Sequence, residues 1–126
     1  MKKGAYVDGF VLAIPKANID KYKKMAKDAM SVWLKFGALD YKECICDDPT
    51  PDTGGIKAWN FPAMVKTKEN EVVWFSFITY KSRAHRDSVN KKVMKHFNQK
   101  YGDKKMEMPF DMKRMCFAGF KVEVGE

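Results

Sequence analysis

The stretch EVVWFSFITY, residues 71–80, decides the fold because it is a long run of β-branched and aromatic residues. Side chains alternate between the two faces of a sheet along a strand, so Trp74 and Ile78 point one way and Val73 and Phe75 the other. This strand is therefore apolar on both faces, and the sheet that contains it needs an apolar cover on each side.

Outward from this strand, the pattern predicts three more strands and two helices. The four predicted strands are residues 5–14, 39–46, 71–80 and 114–124. Asn18 or Asp20 is the predicted cap of a helix between the first two strands, and Ser82 is the predicted cap of a helix between the last two. Residues 58–66 fit either a strand or a short helical turn.

The order of these elements predicts an α+β protein with residues 1–126 in a single domain. With right-handed connections, the βαββαβ order gives a ferredoxin-like antiparallel sheet with both helices on one face. The helices then leave the second face of the sheet uncovered. A second copy of the sheet, related by a two-fold axis, is the simplest cover, so a homodimer is expected.

The composition is typical of a folded cytoplasmic protein. No apolar run is long enough to span a bilayer, and the first residues lack the features of a signal peptide, so no membrane contact is expected. The three cysteines lack disulfide spacing, and nothing completes a metal site around Cys44 and Cys46. No glycine-rich phosphate loop is present either, so neither a metal nor another cofactor is expected.

The net charge of +8 comes from 24 basic and 16 acidic residues. A basic surface of this kind attracts nucleic acids. The lysines, however, are spread along both predicted helices and several loops and do not form one block. Nucleic acid is therefore not the expected partner, although a basic nucleic-acid-binding module stays open as an alternative function.

Several short segments occur in the order typical of one bacterial family. They are YVDGF at 6–10, AIP at 13–15, FGAL at 36–39, HRD at 85–87 and MPFD at 108–111. Through these segments the chain resembles the YbaA-like family, a domain of unknown function, over nearly its whole length. The resemblance implies a dimeric α+β barrel, in which two ferredoxin-like sheets pack face to face. It also implies a small-molecule site in each subunit, between sheet and helices, but no particular reaction.

The first candidate site is the triplet His85-Arg86-Asp87 at the start of the second long helix. In a ferredoxin-like sheet this end of the helix lies beside the start of the first strand, which places Asp8 near the triplet. His85 would act as general base, Asp8 or Asp87 would orient it, and Arg86 would bind a carboxylate or enolate. Trp74 is a further candidate for ligand contact. In the structural alternative, Asp8 only pairs with Arg86, and His85 is a hydrogen-bonded residue at the edge of the core.

A second, weaker group of candidates enters the last strand, where Asp111 and Arg114 flank Lys113. The topology places this group at the opposite end of the subunit from His85, and the favoured interpretation is an ion pair that holds a loop or the edge of the dimer. His96 lies where some haem-binding relatives in the superfamily take an axial ligand. A histidine beside an apolar stripe is more often a core residue, so haem is not expected.

These observations favour a protein that binds a small molecule in a pocket between sheet and helices, and Arg86 makes an anion one candidate. Such a protein is either a ligand-binding protein or an enzyme that works without a cofactor, and the sequence leaves this choice open. A structural or regulatory dimer without a ligand is the third alternative. It would lack both a pocket and an ionisable group in an unusual environment.

Overall fold

The computed structural model describes residues 4–102, 104 and 107–125. In chain order, its helices and strands are β1 (Tyr6–Pro15), α1 (Ile19–Lys35), β2 (Asp40–Ile45), α2 (Phe61–Met64), β3 (Glu71–Tyr80), α3 (Arg83–Tyr101) and β4 (Cys116–Lys121). Short 3-10 turns at Lys16–Asn18 and Met112–Arg114 precede α1 and β4. None of the helices in these described ranges combines the length and the apolar character that crossing a bilayer requires.

The four strands form one antiparallel sheet in the order β2-β3-β1-β4. The predicted α+β class is therefore confirmed. In the register of this sheet, Asp8 lies opposite Ile78, and Ser76 lies between Glu43 and Phe10. These five residues share the face that carries α1 and α3, so the sheet brings together polar side chains that are far apart in the sequence.

The hydrophobic core lies between this face and the two long helices. Each helix repeats its apolar residues at three- and four-residue steps and so presents one apolar stripe to the sheet. The residues buried in this layer include Leu12, Ile14, Tyr22, Ala26, Trp74, Ile78, Tyr80, Val89 and Val93. Packing at both ends of the layer fixes the distance between helices and sheet, and so also the space left between them.

One of the two predicted helix caps has a different role in the structure. Ser82 caps α3 as predicted, because its Oγ accepts a hydrogen bond from the His85 backbone N–H at 3.0 Å. Asn18 lies at the N-cap position of α1, but its side chain caps nothing there. Its Nδ2 instead donates to the Pro109 carbonyl at 2.9 Å. Asn18 thus holds the segment before β4 across the gap between α1 and the sheet.

Residues 58–66 contain a short helical turn and no strand. This turn, α2, begins after Asn60, whose Oδ1 accepts a hydrogen bond from the Ala63 N–H at 2.8 Å. Pro62 lies in its first turn, where a missing N–H costs nothing. Of the two predicted alternatives, the helical turn is therefore the correct one.

The second face of the sheet is covered only in part. The segment that includes α2 lies against the β2–β3 side, where Val73 is buried. Phe75, beside this segment, is 40% exposed, and Cys116 and Phe120 are exposed on the rest of this face. Large apolar side chains exposed on one sheet face are typical of a surface that meets another protein surface.

Candidate functional site

A cavity of about 360 Å³ lies between the sheet and helices α1 and α3. Most of its wall is apolar. Among the residues that the structure describes, five methionines line it, namely Met25, Met94, Met108, Met112 and Met115. Rings of Phe10, Phe110 and Phe117 complete the apolar wall. A volume of this size and a mainly apolar lining are typical of small-molecule sites.

Aromatic contacts and one hydrogen bond hold side chains of the cavity wall in place. Phe10 and Phe117 are stacked, with ring centroids 5.6 Å apart, along the β1–β4 side. The Phe110 ring meets Tyr22 edge to face at 5.7 Å. Because Asn18 holds the neighbouring Pro109 carbonyl, the segment that carries Phe110 is fixed beside the start of α1.

Asp8 is the polar group at one end of the cavity and is only 4% exposed. Its Oδ1 lies 3.3 Å from Nη1 of Arg86. This ionic contact is not aligned as a hydrogen bond, and within the described part of the chain Oδ1 has no hydrogen-bond partner. A buried oxygen without a partner is uncommon in folded proteins, and this one belongs to a side chain that lines the cavity.

Burial raises the pKa of the Asp8 carboxyl above its ordinary value. The positive charge of Arg86 and contacts with Tyr80 and Asn90 oppose this effect without cancelling it. Asp8 thus keeps its proton to a higher pH than an exposed aspartate does. Such a group can accept a hydrogen bond from a ligand, or donate one when it is protonated.

Arg86 is held by protein groups on several sides. Its Nη1 faces Asp8, its Nη2 donates to the Tyr6 hydroxyl at 3.0 Å, and its Nε lies 3.0 Å from Oδ1 of Asp87. The guanidinium also lies over the Tyr6 ring, 5.1 Å from its centroid. Gly119 permits this packing, because a Cβ there would lie 2.9 Å from the Tyr6 ring and 3.0 Å from Arg86. Arg86 is therefore fixed as a neighbour of Asp8.

Asn90 joins the Asp8 end of the cavity to the core. Its Oδ1 accepts hydrogen bonds from Trp33 Nε1 at 3.0 Å and from the Tyr80 hydroxyl at 3.3 Å. Asn90 also helps to lower the pKa of the neighbouring Asp8 carboxyl, against the larger effect of burial. Burial raises the pKa of the Tyr80 hydroxyl, and the charge of Asp8 adds to the effect, so Tyr80 stays a neutral donor.

Glu43 is the second acidic group on the cavity wall, and three donors surround it. Its Oε1 accepts hydrogen bonds from the Tyr22 hydroxyl and from Trp74 Nε1, both at 2.8 Å. Its Oε2 accepts one from the Tyr41 hydroxyl at 2.7 Å. Burial, followed by the charge of Glu43, raises the pKa of both tyrosines, so both remain protonated donors. Trp74, a predicted ligand contact, is buried and holds Glu43.

The structure separates His85 from the cavity. Its Nδ1 accepts a hydrogen bond from the Lys81 backbone N–H at 2.9 Å, and its ring meets Tyr80 edge to face. Of the carboxylates in the described ranges, none forms an ion pair with the imidazole. Asp87 contacts Arg86 from the solvent side, and its side chain is 61% exposed. Of the first candidate group, therefore, Asp8 and Arg86 line the cavity, whereas His85 and Asp87 do not.

The second candidate group forms an ion pair at the base of β4. Arg114 donates to both carboxylate oxygens of Glu71, at 2.7 and 2.9 Å, and to the Lys66 carbonyl at 2.9 Å. Asp111 accepts the Lys113 N–H and caps the 3-10 turn, so β4 starts at Cys116, two residues later than predicted. This geometry supports the structural interpretation of the group.

Replacement of Arg114 by Met is expected to reduce the free energy of unfolding by about 2 kcal/mol near pH 7, because it leaves the shielded Glu71 carboxylate without its partner. The hydrogen bonds from Arg114 lower the pKa of Glu71 below its ordinary 4.5. This stabilisation is therefore complete above pH 4.5 and disappears as the pH falls through the lower folded-state value.

Urea unfolding of the wild type and Arg114→Met at several pH values measures this difference. Lys121→Met is the matched control, because the Lys121–Glu123 pair is exposed and should contribute less than about 0.5 kcal/mol. A difference for Arg114→Met that stays constant down to pH 3 would contradict the ion-pair explanation.

No metal site is evident in the described ranges, where no three His, Cys, Asp or Glu residues cluster as potential ligands. His96, considered above as a haem ligand, packs edge to face with Phe36 and Phe97. It does not line the cavity.

Sequence reasoning missed Glu43, Tyr41 and Asn90 as site residues. A signal for the first two was present, because residues 41, 43 and 45 of β2 share the inward face of the sheet. A carboxylate at the middle of such a face needs buried donors, and the neighbouring tyrosine is one of them. Asn90 gave no comparable signal, since a single polar residue within a helix stripe has many uses.

Comparison with known proteins adds a family relationship. Residues 5–112 match the family described as "Protein of unknown function (DUF1428)". The chain is 43% identical over 122 residues to "Uncharacterized protein YbaA" of Escherichia coli strain K12, covering 96% of this chain and 98% of that protein. The YbaA proteins of Escherichia coli O157:H7 and Shigella flexneri match to the same extent.

Proposed function

Because this chain belongs to the DUF1428 family of YbaA-like proteins of unknown function, we propose its function from its cavity: it binds a small, mainly apolar molecule between sheet and helices. The observation that carries this proposal is the buried Asp8 carboxyl, which borders a 360 Å³ apolar cavity with one oxygen unpartnered. A mainly apolar space of this size, with few polar groups on its wall, is typical of a small-molecule site.

We further propose that the sheet is ferredoxin-like and that two subunits form a dimeric α+β barrel. The antiparallel order β2-β3-β1-β4, with α1 and α3 on one face, supports the first description. The exposed Phe75 and Phe120 on the other face support the second. In such a dimer the cavities lie on the outer side of each sheet, so each subunit has its own ligand site.

The cytoplasm is the compartment we propose for this protein. All three cysteines, Cys44, Cys46 and Cys116, are free thiols. Free thiols persist in a reducing compartment, whereas oxidising compartments favour disulfides.

The binding proposal is tested with 1-aminoanthracene, an uncharged probe that fluoresces strongly when it leaves water. We expect saturable binding with one probe per chain. Ala29 lines the cavity from α1 and is half-buried, so Ala29→Trp places an indole in the space. This variant should weaken binding at least about tenfold, because the probe and the indole compete for the same volume.

Ala84→Trp is the matched control, since Ala84 is exposed in the first turn of α3 and outside the cavity lining. It should bind the probe as the wild type does. Circular dichroism establishes that both variants are folded. If Ala29→Trp is folded and binds the probe with wild-type affinity, or if the wild type binds none, the cavity is not a ligand site.

A further inference from the structure

We propose that the cavity takes a flat aromatic molecule with one uncharged hydrogen-bonding group, such as a phenol, whose polar end binds Asp8. This inference rests on the proposed function and names the chemical class of its ligand. Three features of the cavity carry it: the unpartnered oxygen of Asp8, the occupied guanidinium of Arg86, and the methionine-rich wall.

Asp8 determines where the polar group of the ligand binds. Asp8 Oδ1 is a buried acceptor that protein groups leave without a hydrogen bond. Glu43, the other carboxylate on the wall, already accepts three hydrogen bonds from Tyr22, Tyr41 and Trp74. The Asp8 end of the cavity is thus where a ligand hydroxyl gains a hydrogen bond that the protein does not already make.

The ligand is uncharged because two protein carboxylates already flank the Arg86 guanidinium. Its Nη1 and Nε lie beside the carboxylates of Asp8 and Asp87, although neither ionic contact is aligned as a hydrogen bond, and its Nη2 donates to Tyr6. A ligand carboxylate would have to displace one of these groups, and it would also bring a second negative charge beside Asp8 into a buried site. Both changes oppose binding. Arg86 is therefore a positioning residue for Asp8, and the anion-binding role predicted from the sequence is not part of this proposal.

The aromatic character of the ligand is inferred from the side chains that line the cavity. Methionine sulfur makes favourable contacts with the edges of aromatic rings, and the flexible side chain adapts to the outline of a ligand. Five methionines and the rings of Phe10 and Phe117 surround the space. A cavity of about 150 Å³ is enough for benzene. The 360 Å³ here therefore suits a molecule of two or three fused rings.

Four probes with nearly the same outline test this assignment on the wild-type protein by displacement of 1-aminoanthracene near neutral pH. They are 2-naphthol, naphthalene, 2-naphthoate and decahydro-2-naphthol. We expect 2-naphthol to bind about fivefold or more tightly than naphthalene, which lacks the hydroxyl. It should also bind about tenfold or more tightly than 2-naphthoate, which is anionic, and about threefold more tightly than the saturated alcohol.

Asp8→Ala adds a readout that a merely structural role would not change. Without Asp8, the Nη1 side of Arg86 is free for an anion. The variant should therefore bind 2-naphthol about tenfold more weakly than the wild type does, and 2-naphthoate more tightly. Asp48→Ala, in an exposed loop on the other side of the sheet, is the matched control and should keep the wild-type order of the probes.

The outcomes separate the two proposals. If 1-aminoanthracene binds but naphthalene or 2-naphthoate competes as well as 2-naphthol, the ligand assignment is overturned and the binding site stands. If no probe binds, the proposed function itself fails. Should Asp8→Ala not fold, the order of the four probes on the wild type alone decides the assignment.

Discussion

Glu43→Ala is expected to lower the free energy of unfolding by about 3 kcal/mol, the largest loss from a single side chain outside the apolar core. Two phenols and an indole N–H converge on this carboxylate within 2.8 Å. Removal of the acceptor leaves three buried donors without partners, and each carries a desolvation cost that the folded state previously avoided. In thermal unfolding the variant should melt about 10 °C below the wild type.

Two further variants distinguish this explanation from a simple loss of packing. Tyr41→Phe removes one donor and leaves Glu43 two hydrogen bonds, so it should cost only about 1 kcal/mol. In the Tyr41→Phe background, Glu43→Ala leaves two donors without a partner instead of three. It should therefore lower the free energy of unfolding by less than it does in the wild type. Glu123→Ala, at an exposed position, should change stability by less than about 0.5 kcal/mol. A cost below 1 kcal/mol for Glu43→Ala would contradict the shared-acceptor arrangement.

The strands and long helices could be predicted from the sequence because they are encoded locally. In β3, the ten residues from Glu71 to Tyr80 carry their own alternation and composition, and the structure begins and ends the strand at these two residues. The family was also identified correctly, because its short segments keep their order along the chain. Residues 58–66 were ambiguous because they carry two competing signals. Asn60 followed by Pro62 favours a helical turn, but only weakly, and the short apolar run favours a strand.

The candidate site could be predicted only in part. Asp8 and Arg86 were placed together by topology, and their atoms lie 3.3 Å apart. The separation of His85 from the cavity could not be foreseen, because it depends on the direction of a side chain in the first turn of α3. Glu43 was missed for another reason: its partners Tyr22 and Trp74 lie on different elements. The register of β2 on β3 brings Trp74 to it, and the packing of α1 on the sheet brings Tyr22.

The double variant Phe75→Glu/Phe120→Glu is expected to be monomeric under conditions in which the wild type is a dimer. Both phenylalanines lie on the sheet face opposite α1 and α3, with exposed fractions of 40% and 57%. Phe120 is on β4 and packs over Gly9 of β1, whereas Phe75 is on β3, so the pair spans most of the sheet. In a face-to-face dimer, the two-fold axis would bury each ring against the partner sheet.

The size of the effect follows from this symmetry. Each substitution occurs twice in a two-fold dimer, so the double variant would place four carboxylates in one apolar interface. Burial of unpaired charge is costly, and the dissociation constant should rise at least about 100-fold. Sedimentation equilibrium of the wild type and the variant over a range of protein concentrations measures it directly.

Val124→Glu is the matched control, since Val124 is 95% exposed beyond the end of β4 and lies outside this face. It should sediment as the wild type does. The double variant should keep its helix content, because neither phenylalanine belongs to the core between sheet and helices. A wild type that remains monomeric at high micromolar concentration, or a folded double variant that remains dimeric, would contradict the face-to-face dimer. In either case the exposed rings of Phe75 and Phe120 would need a different cover, because an apolar sheet face of this extent is unfavourable in water.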